Sequence, residues 1–170
     1  MNKYLEDLIK LSKYDTAISS FEPKIESQKA KLATFVETAE VIKASINSIY
    51  LEIDDVKSKR TKNNIHLAEL KSKLDGIAKK NKDVHNEKEL KALQLEEEIA
   101  KEQISFANEE IDRLDNLAKA KEETLKELQE KLAAEEADIK EIKVAVDSTI
   151  EEISKERNVV YQQRSELLEQ

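Results

Sequence analysis

The chain has 170 residues and a formal net charge of −8, and its composition is unlike that of a globular domain. It contains one Gly, one Pro, no Cys and no Trp; charged residues make up 39% and aromatic residues 4%. Few turn formers and many charged helix formers favour long helices or a coiled coil. The absence of Cys excludes disulfides and thiolate metal sites. Since no apolar leader and no run of about 18 uncharged apolar residues is present, we expect a cytoplasmic protein outside the membrane.

The first half of the chain carries a heptad repeat that predicts one helix, arm one, over about residues 3–79. Its a positions run from Tyr4 to Leu74 and its d positions from Tyr14 to Ile77. Pro23 lies on the outer face and the heptad phase runs through it, so we expect a kink there rather than an end. Between Tyr14 and Ile77 three polar residues interrupt the seam: Gln28, Arg60 and Asn63.

A turn is predicted over about residues 80–86, at the middle of the chain. This segment has the only dense cluster of Asn and Asp, and Gly76 lies just before it. Asn86 followed three residues later by Glu89 resembles a capping box, which marks the start of a second helix. The chain is therefore expected to fold back on itself here.

The second half repeats the heptad pattern in a new phase and predicts arm two over about residues 87–169. Its a positions run from Leu90 to Leu167, and its d row is weaker. A heptad repeat sustained this long implies a left-handed supercoil with a partner helix, here the other arm. We predict an all-α fold, a long antiparallel two-helix coiled-coil hairpin that forms a single domain over residues 1–170.

The hairpin register is predicted by placing large seam residues opposite small ones. Pairing Ile77 with Leu90 at the turn also places Leu67 opposite Ala100. A slip of one heptad would preserve the same seam, so that alternative stays open. The two halves differ in charge, with 16 basic and 13 acidic residues before position 86 and 13 basic and 24 acidic residues from there on. Oppositely charged arms favour the fold-back.

Residues 57–82 form a basic segment, with nine Lys or Arg against two acidic residues. One interpretation is a patch for nucleic acid or an acidic partner. The favoured interpretation is internal charge matching, because the predicted register places this segment opposite residues 85–110, which carry eight Glu and three Lys. The residues expected to remain unpaired are the tip lysines, Lys79, Lys80 and Lys82.

The sequence lacks the patterns that catalysis or cofactor binding requires. His66 and His85 are the only histidines, and they lie on opposite sides of the predicted turn. There is no Gly-rich phosphate loop, and a paired helix offers no enclosed pocket. We expect no enzyme activity, no small-molecule ligand and no cofactor in this chain.

One row of apolar residues in arm two lies off the seam. Contiguous apolar residues on an outer face often mark a partner site, whereas single ones carry no such meaning. We predict a docking or dimer surface here; the alternative is packing against a local bend. The row, called the outer stripe below, consists of Ala92, Leu95, Ile99 and Phe106.

The segment from Val84 to Glu96 resembles the tip motif of a bacterial family that joins a long coiled-coil hairpin to a C-terminal zinc ribbon. The Glu22-Pro23 pair near the start also resembles this family, whereas Glu97 stands where the family tends to have an apolar residue. The resemblance implies that zinc would be bound by a C-terminal domain that this chain lacks, as in a fragment. The positions that match the tip motif are Lys88, Glu89, Leu90, Ala92, Leu93 and Glu96.

The resemblance is strongest to the flagellar-biogenesis members of the family. It implies an adaptor or chaperone that binds the transcription factor sigma-54 and supports flagellar gene expression. From the residues themselves, a structural spacer or tether and RNA binding through the tip lysines remain as alternatives, and a homodimer is also possible. Besides the tip lysines, the predicted partner-binding residues are Lys88, Glu89, Ala92, Leu95, Glu96, Ile99 and Phe106.

Overall fold

The computed structural model describes residues 2–169, and within them two helices account for nearly the whole chain. Helix α1 spans Lys3–Asn81 and helix α2 spans Glu87–Glu169. The helices run antiparallel and pack against each other, and no strand occurs in the part of the chain that is described. The predicted all-α helical hairpin is therefore confirmed.

The connection between the helices covers residues 82–86 and is two residues shorter than predicted. The final turn of α1 is tightened, since the Asp83 backbone N–H donates to the Lys80 carbonyl oxygen at 3.1 Å, a three-residue spacing. Asn86 caps α2, because its side-chain oxygen accepts a hydrogen bond from the Lys88 backbone N–H at 2.9 Å. Both helix ends thus satisfy backbone groups that the helices leave free.

Helix α1 continues through Pro23, as the unbroken heptad phase predicts. Pro23 is exposed, while Phe21 and Ile25 on either side of it are buried in the seam. The Lys24 ammonium lies 5.7 Å from the centre of the Phe21 ring, within range of a cation–π contact. Seam packing on both sides therefore holds the helix in place at the position where proline removes a backbone hydrogen bond.

The chain forms two compact units: unit 1, Met1–Ala44 with Glu130–Gln170, and unit 2, Ser45–Gln129. The core of each unit is the heptad seam. Every buried apolar residue within residues 2–169 occupies a predicted a or d position, so the predicted heptad phase is confirmed in both arms. In unit 1 the buried residues are Phe21, Ile25, Ala39, Ile42 and Val146, and in unit 2 they are Ile46, Ile53, Val56, Leu70, Ile77, Ala100, Ala107 and Leu114.

In unit 2 the register differs from the predicted one. Arg60 is predicted opposite Ala107, but its Nε lies 2.6 Å from the Asp115 carboxylate. The Lys121 ammonium lies 2.9 Å from Glu52, again a contact between residues that the predicted register keeps apart. Both pairs show that residues of α1 lie opposite residues of α2 about one heptad later than predicted. Such a slip leaves every a and d residue in the seam.

The register of unit 1 differs in the same direction. Asp15 is predicted opposite Glu152, but its carboxylate accepts a hydrogen bond from the Arg164 guanidinium at 2.7 Å. Twelve residues of helix correspond to about 18 Å, more than these two side chains can span. The large-against-small pairing that set the predicted register is therefore wrong.

Candidate functional site

At the tip of unit 2, residues of both helices and the turn enclose a shallow apolar depression, called the tip groove. Its volume is about 360 Å³, and its walls come from Lys80, Val84, Glu89, Ala92 and Leu93. Three of the five, Glu89, Ala92 and Leu93, are matched positions of the tip motif. The structure therefore brings part of the predicted site together with one tip lysine.

The remaining matched positions lie around this groove without lining it. Lys88 is exposed in the first turn of α2, and Glu96 is exposed one turn beyond Ala92. Leu90 is predicted to pair with Ile77 in the seam, but 37% of it is exposed. The displaced register accounts for this exposure, because a slip of one heptad removes the seam partner of Leu90.

The tip lysines make no ion pair within the described chain, as predicted, but the predicted charge matching between the basic segment and residues 85–110 is not found as ion pairs. Within residues 2–169, Arg60 is the one basic side chain of residues 57–82 that pairs across the hairpin, and Lys59 pairs within its own helix with Asp55 at 3.1 Å. On α2, Glu87 and Glu97 pair with lysines of their own helix. The lysines of the described chain that make no ion pair include Lys62, Lys71, Lys73, Lys79, Lys80 and Lys82.

The outer stripe is exposed on α2, as its off-seam spacing predicts. Leu95 is 59% exposed, Ile99 45% and Phe106 61%. Ala100 and Ala107, which face the seam, are buried, so α1 covers the other side of the helix. Side chains of α1 border only the ends of the stripe, at Ala92 and Phe106, and they leave Leu95, Ile99 and Phe106 exposed, so the stripe is not buried against a local bend.

A second groove, of about 480 Å³, runs beside Phe106 and includes Asn63 and His66 of α1. The Asn63 amide donates a hydrogen bond of 3.0 Å to the Ala107 carbonyl oxygen, so this polar interruption of the seam is satisfied across the hairpin. The contact anchors α1 next to the end of the outer stripe. It also explains how a polar residue is accommodated at a seam position.

An ion pair borders this second groove. The Arg113 guanidinium donates two hydrogen bonds to Glu110, at 2.9 and 2.6 Å. These bonds are the main reason that the pKa of Glu110 lies below its ordinary value, and they raise the pKa of Arg113 in turn. The lowered pKa keeps Glu110 ionised to a lower pH than an ordinary glutamate, at the edge of the second groove.

No three His, Asp or Glu side chains within residues 2–169 are grouped closely enough to hold a metal ion. Neither helix contains, over the residues described, a stretch long and apolar enough to cross a membrane.

Val84 begins the segment that resembles the tip motif, but it is not among the predicted partner-binding residues. Val84 is half-buried against the tip groove, although it belongs to a turn whose other residues are polar or charged. The signal in the sequence is a single apolar side chain within an otherwise polar turn, because a fully solvated turn is normally made of polar residues.

Neither a family model nor a curated protein matches the chain. Among solved structures, the chain is similar to the HP0958 protein from Helicobacter pylori, at 29% identity and a TM-score of 0.79, covering 99% of this chain and 71% of that one. It is also similar to CT398 from Chlamydia trachomatis, at 18% identity and a TM-score of 0.88, covering 97% of this chain and 70% of that one. These likenesses agree with the helical-hairpin fold.

Proposed function

We propose that this chain is a non-catalytic, cytoplasmic protein-interaction hairpin of the coiled-coil/zinc-ribbon family. In this proposal it acts as an adaptor or chaperone for sigma-54 and supports flagellar gene expression. The observation that carries the binding role is the tip groove, where Glu89, Ala92 and Leu93 of the family-like motif line one apolar surface. The identity of the partner comes from the resemblance of that motif.

The chemistry of the tip groove suits an amphipathic segment of a protein partner. Ala92, Leu93 and Val84 offer an apolar floor, while Lys80 and Glu89 place opposite charges at its rim. An apolar anchor in such a depression can be desolvated while polar groups at the rim fix its orientation. The open shape favours a protein side chain over a small molecule, which needs more enclosure.

The proposal is tested by titrating purified sigma-54 with the full chain and measuring heat of binding. Ala92→Glu places a charge in the tip groove and should weaken binding at least about tenfold, since an apolar anchor would then face an unpaired carboxylate. The matched control is Ala120→Glu, at another exposed alanine of unit 2. Equal affinity for both variants, or no binding by the unaltered chain, would refute the proposal.

A structural spacer is the alternative that the same variants separate. A spacer should function normally with Ala92→Glu, because its tip makes no contact that matters. It should instead fail when one heptad is removed from each arm, which shortens the hairpin by about 10 Å and keeps the seam in phase. Loss of function in the shortened chain alone would favour the spacer.

Nucleic-acid binding is a second candidate function, favoured by the tip lysines that make no ion pair. A binding site built on Lys79, Lys80 and Lys82 would attract phosphates and release counterions. We expect the affinity for single-stranded RNA to fall steeply between about 50 and 200 mM salt, and the triple Lys→Gln variant to flatten that dependence. Binding that is absent, or independent of salt, would exclude this function.

A further inference from the structure

We infer that the outer stripe is a self-association surface, on which a second copy of this chain binds antiparallel through α2. The inference does not rest on the proposed function, because Leu95, Ile99 and Phe106 lie outside the tip groove and Ala92 is the one residue of the outer stripe that also lines it. Leu95, Ile99 and Phe106 provide its apolar centre, and all three are exposed in unit 2.

The spacing of the stripe is that of a helix–helix seam. Ile99 follows Leu95 by four residues and Phe106 follows Ile99 by seven, so the three side chains line up along one side of α2. Glu102 occupies the position between Ile99 and Phe106 that completes the row. A single helix of a second copy fits along such a narrow row, as in an antiparallel coiled coil.

An antiparallel arrangement makes this surface complementary to itself. With a two-fold axis between Ile99 and Glu102, Leu95 meets Phe106 of the second copy, and Phe106 meets the second copy's Leu95. A two-fold dimer uses the same patch on both copies, so each favourable contact occurs twice. This arrangement contains one unfavourable contact, because the charged Glu102 lies beside the second copy's apolar Ile99.

The charges along the edge of the stripe also select the antiparallel direction. Lys91 lies on the tip side of the stripe and Glu109 on the far side, along the same edge of α2. Antiparallel copies bring the same edge of both helices together and place each Lys91 opposite the second copy's Glu109, whereas in parallel copies this edge lies on opposite sides of the interface and the pairs do not form. Glu109 makes no ion pair within the described chain, and Lys91 has only the exposed Glu87 at 3.9 Å.

The size of the surface indicates a weak dimer. Residues 91–109 extend over about 27 Å of helix, and a single row of three apolar side chains covers less area than a standard interface. We expect a dissociation constant on the order of 10 to 100 µM, and therefore a monomer–dimer equilibrium that depends on concentration.

Disulfide trapping in the full chain tests the direction directly, because the sequence contains no Cys. Glu102→Cys lies next to the two-fold axis and should form a covalent dimer with oxidised glutathione, which oxidises the two thiols to one disulfide. Leu95→Cys is the matched control, since its two copies would lie about 16 Å apart along the axis, beyond disulfide reach. Trapping of both variants would indicate parallel copies, and trapping of neither would indicate no such interface; each result overturns the inference.

Sedimentation of the full chain at about 5 to 500 µM tests the residues that carry the interface. Phe106→Glu should raise the dissociation constant at least about tenfold, whereas the control Ile65→Glu, at an exposed isoleucine of α1 in the same unit, should leave it unchanged. Lys91→Glu or Glu109→Lys alone should weaken the dimer, and the double variant should restore it. A monomer at every concentration, or a Phe106→Glu variant that associates normally, contradicts the inference.

Discussion

Replacing Leu114 by alanine should destabilise unit 2 by about 2.5 kcal/mol. Leu114 is the most deeply buried large side chain of the described chain, at 1% exposed. The substitution removes three carbon atoms from the seam, and each buried methylene contributes about 0.8 kcal/mol. Leucine-to-alanine changes in closed cores cost about 2 to 5 kcal/mol because an empty cavity remains. Leu114 and Leu51 line a third groove of unit 2, also of about 480 Å³ and distinct from the one beside Phe106. This groove is open to solvent, so we expect a value near the lower end.

The loss of stability is measured by urea unfolding of the full chain, followed by helical circular dichroism at a protein concentration well below any dimer dissociation constant. Leu51→Ala is the matched control, because Leu51 borders the same groove and is 71% exposed. It should change the free energy of unfolding by less than about 0.5 kcal/mol. A Leu114→Ala loss below about 1 kcal/mol, or equal losses for both variants, would refute the argument that stability resides in the seam.

Three further predictions test individual contacts. A double-mutant cycle on Arg60 and Asp115 should give a coupling energy below about 1 kcal/mol that weakens in high salt, because both side chains are substantially exposed. Zero coupling energy in low salt would argue against this pair and against the register that it supports. In an NMR titration, Arg113→Gln should return the Glu110 pKa toward its ordinary value. Since the Glu110 pKa is depressed in the folded chain, the stabilisation from the Glu110–Arg113 pair is present at neutral pH and is lost as the pH falls through the folded-state pKa of Glu110. Gly76→Ala should stabilise the chain by about 0.5 to 1 kcal/mol, because Gly76 lies inside α1 and an added methyl group meets open space; a destabilised variant would contradict this placement.

The heptad seam could be predicted from the sequence, whereas its register could not be predicted from apolar residues alone. Shifting one arm by seven residues moves each seam residue onto an equivalent position, so the hydrophobic pattern is the same for both registers. The polar seam residues held the missing information. A single register gives both basic seam residues an acidic partner, Asp115 for Arg60 and Glu52 for Lys121. The structure contains both pairs.

The charge matching of the basic segment failed for a different reason. Net charges summed over two segments describe their average attraction, but they do not determine which side chains touch. Within a helix, residues four apart are held close together by the backbone, so Glu97 pairs with Lys101 and Glu87 with Lys91. An ion pair across the hairpin forms only when the two residues lie at the same height along the helices. The displaced register changed which residues lie at the same height, so the predicted pairs did not form.

The tip groove was predictable in part. The motif resemblance selected Glu89, Ala92 and Leu93, and the charge pattern selected Lys80, but nothing in the one-dimensional pattern showed that these residues would share one surface. That depended on how far α1 extends before the turn, and α1 ends at Asn81. The five-residue connection then brings Val84 into the lining of the groove, beside residues of both helices.

Hydrogen exchange of the full chain, with and without purified sigma-54, tests the central claim most directly. If the tip groove is the binding surface, backbone amides around residues 80–96 should exchange more slowly in the complex, while those in the middle of unit 1 remain unchanged. Protection that is absent, or that lies outside the tip, would contradict the account of this chain as a hairpin that binds its partner through the tip groove.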